Sequence, residues 1–354
     1  MPRHFTLIDG LRGVAALAVV IFHYHHFYLA DFADRPNMPS FYAQPLGNWL
    51  WPVYIYGHHA VELFWVISGF VFAHVYLNRA TTLRDFSVAR FARLYPLHLV
   101  TLLFVAALQI ISLNWAGHWQ VYGNNDLRHF ILQLGFASNW SWYNQGLSFN
   151  GPIWSVSLEI LAYALFFLAL PLLKRFGLGW AVILCASAAG LSLTELPFLR
   201  PMVFACASYF FLGTALYCLM RRAGPKAWGV VLAAACATGA AALWGTEALL
   251  IAAVSSCLIL TFALCEGRIN LGPWVQRLGD MSYSIYLVHV PLQMAVLLIA
   301  DTAFGGSRAF ADHPLTLPVY LVAVVVVADM AYRRFEKPVG RHLRNRLSHA
   351  KPHD

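Results

Sequence analysis

Ten apolar windows follow one another along the chain, near 8–30, 58–78, 94–113, 151–172, 178–194, 200–220, 227–245, 247–265, 282–300 and 315–334. Each has about the 18–22 residues that an α-helix needs to cross roughly 30 Å of hydrocarbon. A chain that repeats this pattern can bury its surface only in lipid. Composition agrees: 60% of residues are hydrophobic and 11% charged, against about 25% charged in soluble domains. The same figures exclude disordered, collagenous and disulfide-scaffold classes. The sequence therefore predicts an all-α polytopic membrane helix bundle.

The basic residues predict its direction. Arg79, Arg84, Arg90 and Arg93 occupy one loop, Lys174 and Arg175 another, and Arg221, Arg222 and Lys226 a third. The positive-inside rule puts these in the cytosol with Arg268, Arg277 and the basic C-terminal residues. From a cytosolic N-terminus, that pattern requires the segment 127–140 not to cross. The expectation is ten transmembrane helices, both termini cytosolic, and a short interfacial or re-entrant helix near 127–140. The membrane domain is expected over 1–340 and a basic cytosolic tail over 341–354. The net charge is +8, and because its basic tail follows an apolar span, anchoring to anionic lipid is favoured over nucleic-acid binding. Asp9 and Arg12 interrupt the first window, so it reads as an uncleaved helix rather than a signal peptide.

Six cysteines lie inside apolar stretches without a CxxC pair and read as packing residues. His25, His26, His58 and His59 gather near the outer face, but adjacent histidines diverge on a helix and no ligand spacing repeats, so no metal is expected. The outer loops 31–57 and 114–150 carry Trp115, Trp119, Trp140, Trp142 and Tyr143, which suit either an interfacial belt or stacking on sugar rings.

Ionisable groups inside spans are costly and mark function or a buried ion pair. Arg12, Glu62, Glu159 and Asp329 are such groups, and His23 and His289 join them as polar ones. Arg12 and His23 are about three turns apart on one helix, roughly 16 Å along its axis. His23 and Glu159 each lie roughly 10 Å below the outer surface by helix rise. At that depth Glu159 can orient His23 as a general base. Arg90 and Arg93 share a helix face at the cytosolic side, where with Arg12 they can clamp phosphates, although positive-inside anchoring also explains them. Pro96 is expected to mark the start of that helix.

With these residues in place, the chain resembles the acyltransferase-3 family of bacterial integral-membrane O-acyltransferases. The resemblance is carried, in order, by Leu7-Ile-Asp9-Gly10-Leu-Arg12-Gly13 with His23, by Glu62-Leu-Phe-Trp-Val-Ile-Ser68-Gly69-Phe, and by Arg90-Phe-Ala-Arg93-Leu-Tyr-Pro96. It continues in Trp154-Ser155-Val-Ser157-Leu-Glu159 and Ser282-Tyr283-Ser284-Ile-Tyr286-Leu-Val-His289. Two departures stand out. Glu62 occupies a position where the family often has Asp, and Ile160-Leu161 follows Glu159 where the family often has Glu-Gln.

The resemblance implies transfer of an acyl group, most often acetyl, from cytosolic acyl-CoA to a hydroxyl of an extracytoplasmic carbohydrate or glycolipid. The setting would be the bacterial inner membrane. No permanently bound cofactor is expected; acyl-CoA is a substrate. His23 and Glu159 would be catalytic, and Arg12, Arg90 and Arg93 would hold the donor. Substrate or oxyanion contacts are expected among Glu62, Ser68, Trp154, Ser155, Ser157, Tyr286 and His289, the last at the donor tunnel. The rival reading is a proton-coupled transporter or flippase, disfavoured by the lack of a repeated half.

Overall fold

A computed structural model describes residues 4–29, 39–141, 146–244 and 247–349. Trp142, Tyr143, Lys351 and residues 31–38 of the first outer loop lie outside them. Among the described residues the only regular elements are helices. Eight stretches are long and apolar enough to cross a membrane: Thr6–Tyr28, Gly47–Tyr76, Leu83–Trp115, Ile153–Phe176, Pro201–Ala223, Glu247–Cys265, Ser282–Ala303 and Thr316–Leu347. Two of the ten windows fall short of that length. They fold as α7 (Leu178–Ser192) and α9 (Trp228–Trp244), with 15 and 17 residues. At 1.5 Å per residue these are roughly 22 and 26 Å long. A turn at Gly177 and the Thr194-Glu195-Leu196-Pro197 stretch, which helices tolerate poorly, bound α7. The segment expected near 127–140 contains α5 (Leu127–Leu134), whose eight residues rise only about 12 Å.

The helix that carries the basic pair starts earlier than the sequence suggests. α4 runs Leu83–Trp115, and Thr82 caps it by accepting from the Asp85 backbone N–H at 3.1 Å. Pro96 therefore lies inside the helix rather than at its start. A proline there removes the hydrogen bond that the Ala92 carbonyl would otherwise accept. That carbonyl is where the C-terminal helix α14 (Lys337–His349) docks: a Cβ on Gly340 would stand 2.8 Å from the Ala92 oxygen. The close approach brings Arg344, one turn later, to the same site as Arg90 and Arg93.

Another close approach fixes α3 (Ala60–Tyr76) against α8 (Pro201–Ala223). A Cβ on Gly213 would lie 1.9 Å from the Val66 oxygen, and one on Gly69 would lie 1.7 Å from the Phe210 oxygen. Small residues let the two backbones meet, as packing in lipid favours, and Thr214 Oγ1 donates to the Gly69 oxygen at 3.3 Å. Gly213→Leu is expected to force the helices apart at a cost of about 1–3 kcal/mol, lowering the unfolding midpoint of the detergent-solubilised protein. An unchanged midpoint would show that the crossing tolerates bulk.

α1 (Thr6–Phe22), which continues as a tight turn over His23–Tyr28, packs beside α12 (Ser282–Ala303). α12 is the most enclosed helix of the bundle, with Ser284, His289 and Gln293 fully buried. α6 (Ile153–Phe176) packs in the same core cluster as Tyr283, Tyr286 and Leu287 of α12. Of the six cysteines, Cys206 and Cys218 are buried as a packing role expects, three are half-buried and Cys236 is exposed.

Candidate active site

A cavity of about 180 Å³ opens where α1, α3, α4, α6, α12 and α14 converge. Its wall brings together five motifs that are scattered over the sequence. Arg12, Ser68, Arg90 and Arg93, Ser155 and Glu159, and Tyr286 all line it. Arg344 from α14 completes a set of four arginines, a contribution the sequence reading had assigned to a lipid anchor.

The four cations are held in different ways. Arg12 is 3.6 Å from Asp9, one turn earlier on its helix. Arg93 is ion-paired with Glu336, which is almost fully buried and also accepts from Ser284 Oγ at 2.5 Å. Glu336 sits in the single wide turn, Tyr332–Glu336, between α13 (Thr316–Ala331) and α14. Such wide turns recur at functional positions. Arg90 forms no ion pair among the described residues; its guanidinium lies 4.7 Å from the Phe72 ring centroid, and its buried Nε has no hydrogen-bond partner. A guanidinium stacked on an aromatic face keeps its N–H fork available for a planar anion.

Glu159 is the one carboxylate on the cavity wall, and it does not meet His23 as the helix-depth argument expects. Its Oε1 accepts from Ser68 Oγ, and its charged neighbours are Arg12 and Arg90, with Tyr163 beside it. Depth places a side chain along the bundle axis but not around it, and α6 presents this face to α3 and α4.

His23 has a different partner. Its Nδ1 lies 2.9 Å from the Val19 oxygen and 3.3 Å from His289 Nε2. A carbonyl can only accept, so His23 Nδ1 carries the proton. His289 Nδ1 likewise faces the Ile285 oxygen at 3.3 Å, which leaves its Nε2 as the acceptor towards His23. Gln293 Nε2 donates to the His23 oxygen at 2.8 Å. The arrangement fixes the His23 tautomer and leaves its Nε2 lone pair as the basic atom, the configuration a general base requires.

The two centres are linked by Tyr286. Its ring is on the cavity wall and 5.9 Å from the His289 ring, which is 5.0 Å from that of His23. Neither histidine lines the cavity; His289 is the hydrogen-bond partner of His23. Tyr286 Oη donates to the Pro152 oxygen at 2.9 Å and lies 2.7 Å from Ser155 Oγ. Of the expected substrate or oxyanion contacts, Ser68, Ser155 and Tyr286 are at the cavity. Trp154 packs edge-on to Trp65 and Ser157 Oγ donates to the Trp154 oxygen, both away from it. Trp140 is likewise structural, donating to the Ser157 oxygen at 2.7 Å. Glu62 lies off the cavity beside His59, and Asp329 pairs with Arg333 at 2.9 Å near the end of α13.

The chain is similar in sequence to known acyltransferases. A family model described as an acyltransferase domain matches residues 5–333. The chain is 28% identical to acyltransferase MdmB of Streptomyces mycarofaciens, over 98% of this chain and 94% of that protein. It is 27% identical to the exopolysaccharide production protein ExoZ of Rhizobium meliloti, over 82% and 93%. It is 28% identical to the putative membrane-bound transacylase BcsY of Komagataeibacter xylinus, over 90% and 81%. No solved structure matches.

Proposed function

This chain belongs to the acyltransferase-3 family and is a membrane acyltransferase, and on that premise we propose that it moves an acyl group, acetyl first among candidates, from cytosolic acyl-CoA to a hydroxyl of an extracytoplasmic carbohydrate or glycoconjugate. Family membership disfavours the transporter reading. A relative named for exopolysaccharide production supports a sugar acceptor. In this reading the protein sits in a bacterial inner membrane with both termini cytosolic, as the basic loops favour. α7 and α9 then complete ten crossings with local bilayer thinning.

The observation that carries the proposal is the cavity with four arginines at one site and a tyrosine leading towards a tautomer-fixed imidazole. The arginines suit the phosphates of the donor, because guanidinium–phosphate pairs are charge-assisted and bidentate. The cavity is smaller than the roughly 300–1,000 Å³ of pockets that bury drug-sized ligands. It therefore suits a slender pantetheine arm while the nucleotide rests at the mouth. His23 Nε2 takes the proton of the acceptor hydroxyl as its oxygen attacks the thioester carbonyl. The oxyanion is met by the Tyr286 or Ser155 hydroxyl once it turns its proton from the Pro152 oxygen to the substrate. Collapse breaks the C–S bond, and the imidazolium returns the proton to the departing thiolate.

Glu159 takes a different role from the one the sequence suggests. Bonded to Ser68 and flanked by Arg12 and Arg90, it orders the cationic wall rather than the base. The test is incubation of the purified protein with labelled acetyl-CoA. Consumption of the thioester that depends on an added glycan, with label recovered on the glycan, is the expected result. Glycan movement across vesicles without thioester consumption would overturn it.

A further inference from the structure

We propose that His58, His59 and Glu247, with Glu62 behind them, form a binding site for a zinc-class divalent cation at the shared end of α3 and α10 (Glu247–Cys265). One ligand atom from each of the first three lies within 4.8 Å of the others. The grouping escapes the sequence because Glu247 lies 188 positions from His59. The adjacent histidines stand in a tight turn over Gly57–His59, which brings their ring centroids to 3.9 Å instead of splaying them.

The chemistry of each donor fits. His58 Nδ1 faces the Ile55 oxygen at 3.0 Å, so it carries the proton and Nε2 presents its lone pair. His59 stands between two carboxylates: Nε2 is 2.8 Å from Glu247 Oε1, and Nδ1 is 3.7 Å from Glu62 Oε1. Both His59 Nδ1 and Glu62 Oε2 are buried without a hydrogen-bond partner. Buried polar atoms in that state are costly. A cation on His59 Nε2 fixes the proton on Nδ1 and aims it at Glu62, giving the carboxylate–imidazole–metal arrangement that steadies metal-bound histidines.

Two imidazoles and a carboxylate select zinc or a neighbouring transition metal over magnesium and calcium, which prefer oxygen ligands alone. Tetrahedral zinc places its ligand atoms about 3.4 Å apart. The 2.8 Å between His59 Nε2 and Glu247 Oε1 must therefore open slightly while any wider spacing, at most 4.8 Å, closes, and Glu247 has freedom to turn because its side chain is 67% exposed. The site is separate from the cavity. The Phe22 ring, whose centroid is 5.1 Å from that of His58 and 5.0 Å from that of His23, stands between them.

The test is titration of chelator-treated, tag-free protein in detergent with Zn²⁺ alone, followed by calorimetry and by metal analysis after desalting. About one equivalent is expected to bind and to raise the unfolding midpoint. Glu247→Gln should weaken that binding about tenfold or more, and the double change His58→Gln with His59→Gln should abolish both binding and the midpoint shift. Because Glu247 is exposed, its variant tests the site without threatening the fold. Absence of stoichiometric zinc overturns the proposal. So does binding that survives both variants, or that is lost instead on changing His25 and His26 to Gln.

Discussion

His23→Gln is expected to lower acyl transfer about 10²–10⁴-fold, the usual contribution of a positioned general base, while donor affinity stays as in the unchanged protein. The split follows from geometry. The base is not on the wall of the cavity that would hold the donor, and its basic Nε2 points away from the Nδ1 contacts to Val19 and His289. Gln preserves size and can still satisfy the Val19 oxygen, so the helix turn survives but the proton acceptor does not. Single-turnover transfer of labelled acetyl and calorimetric binding of acetyl-CoA separate the two quantities. Near-full transfer by a folded His23→Gln protein would remove the base assignment. An equal loss in donor affinity would mean that the imidazole holds the donor rather than the proton.

Much of this site was legible because its parts are chemical exceptions in an apolar chain. Arg12 and Glu159 stand out inside apolar spans, Arg90 and Arg93 as a helix-spaced pair at a cytosolic mouth, and the structure gathers all four at one cavity. Helix counting told how deep each lies but not which neighbour it faces. Depth alone therefore pairs Glu159 with His23, whereas the structure bonds it to Ser68. The partner of His23 sits 266 positions away, and only the packing of α1 on α12 brings it near. Glu336 and Arg344 were hidden by their surroundings. Both lie in or beside a basic tail that reads as an anchor, and their role depends on α14 folding back onto the Ala92 carbonyl beside Pro96. Crossing number is the other place where pattern and length diverge. Hydropathy marks α7 and α9 as apolar, whereas the length of α7 is set by the turn at Gly177 and the stretch through Pro197.

Arg90→Ala together with Arg93→Ala is expected to weaken acyl-CoA binding by about 10²–10⁴-fold. A hydrogen bond to a charged group contributes about 1.5–3 kcal/mol, and two such contacts together give roughly 3–6 kcal/mol. The two side chains should not contribute alike. Arg90 has a buried Nε without a partner and lies over the Phe72 and Tyr76 rings, near Glu159 but without an ion pair to it, so its hydrogen-bonding capacity awaits a ligand. Arg93 already spends part of its fork on Glu336, and removing it alone strands a carboxylate that is 1% exposed. Breaking a buried pair from one side typically destabilises by about 3–5 kcal/mol. Arg90→Ala is therefore the cleaner probe of donor binding, with the unfolding midpoint nearly unchanged. Arg93→Ala should lower the midpoint as well as the affinity, and adding Glu336→Gln should restore part of the stability without restoring the affinity. Calorimetric titration with acetyl-CoA and a thermal scan of each variant measure both. Unchanged donor affinity in the double variant would move the phosphate site away from α4, and the cationic wall would then need another purpose.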